Sequence, residues 1–121
     1  SGGYGFGYSG IQNSIGIAFD TVLNSGIDSN NNHIELDVNG DVVNSVTKAT
    51  NSFDFCGTTG VERKVHVWVE YLSLNKIINI YTSLTQSRPA YATLTYPMDI
   101  RDYVNLVKLR GKSYTGLISV Q

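Results

Sequence analysis

The sequence has one cysteine, two prolines and a net charge of only −1, from nine basic and ten acidic residues. A lone thiol, Cys56, cannot close an internal disulfide. It excludes a disulfide framework and any zinc site built from several cysteines of one chain. Its expected place is as a small buried apolar side chain. The balanced charge excludes the basic surplus of a nucleic-acid binder and leaves no polybasic membrane patch. Apolar runs are too short to cross a bilayer, so membrane insertion is not expected. No leader pattern is read in residues 1–121, so a mature or trimmed chain is expected. No Asn-X-Ser/Thr acceptor occurs. At 121 residues, a single domain spanning 1–121 is expected, long enough for one core.

What is abundant points to strands and turns. Eight tyrosines and twelve glycines accompany many Val, Ile, Thr and Asn residues. Ser14 to Val22 reads as a mostly buried strand, and His33 to Val38 alternates apolar with polar. Asn39-Gly40 is then a type I′ hairpin signal leading into Val42-Val43. Residues 44–62 are polar and rich in breakers, with Phe53 and Phe55 marking a short strand. Lys64 to Tyr71 is the clearest strand: Val65, Val67, Val69 and Tyr71 face one side, His66, Trp68 and Glu70 the other. His66 is expected at the surface; Trp68 either fills a sheet interface or stacks on a sugar ring. Ile77 to Thr82 pairs back on that strand, Ala90 to Thr95 adds another, and Tyr114 to Val120 a last one. Residues 101–109 fit a helical turn or a strand. About eight short strands without a long helical pattern predict an all-β, antiparallel β-sandwich.

The chain is organised around the stretch from Phe19 to Val38. An apolar strand enters it and an alternating strand leaves it. Between them, Asp20, Asn24, Asp28, Asn30 and Asn32 offer side-chain oxygens, and His33 closes the loop. Calcium takes six to eight oxygen ligands in irregular geometry, so such a loop suits it. The alternative is an Asn/Asp-rich turn that caps its own backbone. An EF-hand does not fit: counted from Asp28, His33 stands at the glycine position and Asn39 at the final carboxylate position. Ahead of this stretch, Tyr4, Phe6 and Tyr8 alternate with glycines, a pattern unusual for a flexible linker.

Gly16-Ile17-Ala18-Phe19-Asp20-Thr21, Asn24, Asp28 and His33-Ile34-Glu35-Leu36-Asp37-Val38-Asn39 together resemble the legume (L-type) lectins and their bacterial relatives. That family's pattern is Glu-Phe-Asp-Thr, an Asn, an Asp, then His-Ile-Gly-Ile-Asp-Val-Asn. Val67 to Tyr71, Arg88-Pro89-Ala90 and Tyr114 to Ser119 are similar to later strands in the same order. Gly7 to Ser14 resembles the glycine-rich lead-in of the bacterial members. The resemblance implies a concanavalin A-like jelly roll that binds glycans without catalysis, secreted or on a cell surface.

By that resemblance, Asp20 bridges the metals, Val22 offers a backbone carbonyl to calcium, and Asp28 completes the calcium site. Asn24 ligates calcium and donates its amide to a sugar hydroxyl. Gly3 matches a backbone N–H that binds sugar, and His33 matches the transition-metal ligand. Three departures follow. Ala18 replaces the family's transition-metal Glu, so that site is expected to be absent. Val22 replaces the aromatic that stacks on the sugar, which weakens binding. The family's domains run about twice this length, so either the sandwich is reduced, or a second chain or copy completes its sheets, or the chain is a fragment.

Two rivals stand beside this reading. Glu35-Leu36-Asp37-Val38-Asn39 resembles the Glu-X-Asp-X-Glu strand of laminarinase-type glucanases, with Asn39 in place of the second Glu. Retaining hydrolysis needs two carboxyls about 5 Å apart, so this departure argues against an enzyme. Glu35 and Asp37 are read instead as a solvated strand face. The other rival is a structural or adhesive module that has lost metal and sugar binding.

Overall fold

An extended chain that alternates apolar with polar buries its apolar half by packing that sheet face against another layer. The computed structural model describes residues 8–21, 31–58, 60–104 and 119–120. Among these, β1 (Ile15–Asp20), β2 (His33–Val38), β3 (Thr47–Thr50) and β7 (Ser119–Val120) form one sheet in the order β3-β2-β1-β7. The strands β4 (His66–Leu72), β5 (Ile77–Ser83) and β6 (Leu94–Pro97) form the other. The inner faces meet in two apolar clusters. Phe19 and Ile34 pack with Phe55, Ile80 and Leu94, while Leu36 packs with Ile78 and Met98; Ile17 and Tyr96 touch both clusters. The expected all-β sandwich is therefore observed.

Its pairing differs from expectation at one edge. The other described ladders are antiparallel, but β7 runs parallel to β1, Ala18 opposite Ser119. A parallel neighbour must be reached by a crossover, which local turn signals cannot announce. Of the expected final strand, only Ser119–Val120 lies within the described residues.

The Asn39-Gly40 turn forms as expected. Both residues have positive φ (53° and 70°), and the Asp41 N–H donates to the Val38 carbonyl at 3.1 Å. Val42-Val43 does not continue the hairpin. Asp41 instead accepts from the backbone N–H groups of Val43 (3.2 Å) and Asn44 (3.0 Å), closing a local loop. Pairing resumes at β3, just after the Val46 N–H reaches the Leu36 carbonyl at 2.8 Å.

Phe53 and Phe55 lie on a loop rather than a strand. Asn32 holds that loop, donating to the Phe53 carbonyl at 2.8 Å and accepting from the Phe55 N–H at 2.9 Å. Phe55 then meets Phe19 edge-on at 5.9 Å between ring centroids. Cys56, just beyond, is exposed rather than buried. The strand expected at Ala90–Thr95 forms at Leu94–Pro97, and Ile100–Asp102 is one 3-10 turn capped by Asp99. His66 and Trp68 are half-buried neighbours, their ring centroids 6.3 Å apart.

A strap over residues 8–14 crosses the outer face of the first sheet and is tied to the Asn39-Gly40 turn. The Gly10 N–H donates to the Gly40 carbonyl, and the Asn39 N–H to the Ser14 carbonyl, each at 2.9 Å. A Cβ on Gly40 would lie 2.4 Å from the backbone nitrogens of Gly10 and Ile11, at a φ that L side chains resist. Gly40→Ala should therefore destabilise the fold by about 2–3 kcal/mol, read from urea unfolding midpoints.

Candidate metal and sugar site

Because Ile34 and Leu36 point into the sandwich, His33, Glu35 and Asp37 must point to the other side of β2. Directly paired residues share a face, so each meets its β1 partner there: Asp20 opposite His33, Ala18 opposite Glu35, Gly16 opposite Asp37. This face is not solvated, as alternation alone suggested. Asp20 and Asp37 are 0 % exposed, His33 and Glu35 1 %.

The strap provides the cover. Tyr8 packs with Ala18 and Val42, and its ring lies so close over Gly16 that a Cβ there would be 2.6 Å from Cε2. The Tyr8 hydroxyl donates to Asp37 Oδ2 at 2.5 Å. Small residues at 16 and 18 thus make room for an aromatic roof. Burial drives the Tyr8 phenol far above its ordinary pKa, with the Asp37 hydrogen bond acting in the same direction. Burial likewise raises the carboxyl pKa values of Glu35 and Asp37.

Two neighbours fix Glu35. Ser45 Oγ donates to Oε2 at 2.6 Å, and Lys48 Nζ stands 3.7 Å from the same oxygen. The other oxygen, Oε1, lies 3.5 Å from His33 Nε2, which is 3.7 Å from Asp20 Oδ2. Asp20, His33 and Glu35 can each present one ligand atom, all within 4.8 Å of one another. An imidazole nitrogen and two carboxylate oxygens at such spacing suit a divalent cation.

Of the residues singled out from the sequence, Asp20 and His33 are brought together at the two ends of the 21–32 connection. Gly3, Val22, Asn24 and Asp28 lie outside the described residues. Asn32 serves the 51–55 loop instead. Sequence reasoning missed Tyr8 as a roof, Ser45 and Lys48 as supports, and Glu35 as a possible ligand. Ala18, where the resemblance puts a metal-binding Glu, is paired in the ladder with Glu35, whose Oε1 lies 3.5 Å from His33 Nε2. The glucanase-like pair is buried, Asp37 beneath the Tyr8 hydroxyl and Glu35 against Ser45.

Comparison with known proteins gives one family. The legume lectin domain profile matches residues 9–113. The chain is 34 % identical over 96 residues to the L-type lectin-domain containing receptor kinase VIII.1 of Arabidopsis thaliana, covering 75 % of this chain. It is 27 % identical over 92 residues to receptor kinase VIII.2 of the same plant, again over 75 % of the chain. In both cases the match spans 12 % of the relative's length. By this match over most of its length, the chain belongs to the legume lectin family.

Proposed function

We propose that this chain is a non-catalytic carbohydrate-binding domain, on a concanavalin A-like jelly roll, in which calcium organises the loop from Asp20 to Asp28. The observation that carries the reading is the rung joining Asp20 to His33. It holds the two ends of the 21–32 connection on one ladder, with Asp20 buried there. Asp20, the Val22 carbonyl, Asn24 and Asp28 would hold the ion, with His33 beside them. Calcium, when bound, supplies a fixed positive centre that orders these oxygens. Asp20 then presents a carboxylate oxygen, Asn24 its amide and Gly3 its backbone N–H to neighbouring sugar hydroxyls. Loop order set before the sugar arrives spares binding the entropy of ordering it. Val22, in place of an aromatic, leaves the sugar face without a stacking partner and keeps affinity modest.

This reading places the domain outside the cell or at its surface, with a glycan as ligand and a second chain or copy completing the sheets. The direct test is a glycan array with calcium and with chelator, repeated on Asn24→Ala. The parent should bind only with calcium, and Asn24→Ala should lose at least about 100-fold in affinity while keeping its fold, since it removes a metal ligand and a sugar donor together. Equal binding by Asn24→Ala would overturn the assignment.

A further inference from the structure

We infer that Glu35 replaces, from across the ladder, the carboxylate missing at Ala18, so that Asp20, His33 and Glu35 form a transition-metal site with a relocated ligand. The family pattern given above has Glu and Gly at the positions where this chain carries Ala18 and Glu35. The two positions are direct register partners on one face. Exchanging the residues between partners moves the carboxylate from one strand to the next but leaves it over the same rung.

The geometry fits an ion. For bonds of roughly 2.1 Å, neighbouring ligand atoms in a tetrahedral site lie about 3.4 Å apart. The two separations from His33 Nε2, 3.5 Å to Glu35 and 3.7 Å to Asp20, are close to that edge. Glu35 is also oriented as a ligand should be: Ser45 and Lys48 engage Oε2, so Oε1 is turned toward His33.

A second observation is the charge beneath the strap. Asp20, Glu35 and Asp37 are all at least 99 % buried, three carboxylates on one face. His33 lies 3.7 Å from Asp20 and 3.5 Å from Glu35, and the half-buried Lys48 lies 3.7 Å from Glu35. Buried carboxylates are costly unless a cation meets them, and a divalent ion at Asp20, His33 and Glu35 meets two at once. The mixed nitrogen and oxygen donors favour zinc, manganese or cobalt over calcium.

The test is cobalt(II) titration of the full chain in saturating calcium, followed by visible d–d absorption. The expected result is one equivalent of cobalt with a spectrum of low coordination number. Glu35→Gln should weaken cobalt binding by more than about 100-fold, beyond the usual effect of losing a supporting hydrogen bond to a ligand. Its melting temperature in chelator should equal or exceed the parent's, because a buried charge is gone. The swap Ala18→Glu with Glu35→Gly should restore the cobalt spectrum, which keeps the test decisive if Glu35→Gln folds poorly. A parent that takes up no cobalt, or a Glu35→Gln variant that binds it within about threefold, overturns the inference. The cobalt readout needs no sugar: cobalt binding with a silent glycan array supports this site and sinks only the lectin reading.

Discussion

Asp20→Ala should bind no glycan on the array and should lose the rise in melting temperature that calcium gives the parent. Asp20 is the last residue of β1, fully buried, and paired across the ladder with His33, where the following connection returns. If it bridges the ions, its loss removes a ligand from each and a sugar acceptor as well. Calcium at 100 times its dissociation constant stabilises a folded binder by about 2.7 kcal/mol. For a chain of this size that is a shift on the order of 10 °C. The parent should therefore melt about 10 °C higher with calcium than with chelator, and Asp20→Ala at one temperature in both. The substitution removes charge from a crowded buried face, so the chelator-treated variant should melt no lower than the chelator-treated parent. A calcium shift that persists in Asp20→Ala would place the ion elsewhere and sink the site assignment. A parent that shows no calcium shift would remove metal from the lectin reading altogether.

How much of this was legible in the residues depends on the range of the interaction. Strands β1, β2, β4 and β5 each carry period-two alternation with an adjacent turn signal, and each formed within a few residues of expectation. Strand β3 was hidden because Thr47-Lys48-Ala49-Thr50 has one face under the loop of Phe53 and Phe55 and the other beside Glu35. Its mixed polarity looks like a turn until those neighbours are known. Similarly, Glu35 and Asp37 alternate with apolar residues, and alternation shows that a face differs from the core without showing what covers it. The cover comes from Tyr8, 29 positions from its partner Asp37, and from the small residues Gly16 and Ala18 that admit its ring. The site was half legible for a related reason. Asp20 and His33 stand in a recognisable order along the chain, but the partnership of Ala18 with Glu35 exists only in the ladder register. No linear pattern states that register before both strands are paired.

Ile80→Ala should be the most damaging single core truncation, at about 4 kcal/mol. Ile80 is fully buried on the central strand of the three-stranded sheet. It meets Phe19 and Ile34 from the opposite sheet as well as Phe55 and Leu94. Truncating a buried isoleucine to alanine costs about 2–5 kcal/mol, and the upper part of that range applies where the surroundings cannot collapse into the space. Here the neighbours belong to two sheets, each fixed by its own hydrogen-bond ladder. Phe55 is held as well, since its loop is tied through Asn32 and Asn51. The paired position provides the control. Val69 stands directly opposite Ile80 on β4, at the sheet edge, and is 50 % exposed. Val69→Ala should cost no more than about 0.5–1 kcal/mol, because much of what it removes already faces water. Urea unfolding in calcium should give the two midpoints with unchanged slopes. Equal losses for the two variants would mean that the sheets do not pack through Ile80 as the sandwich requires.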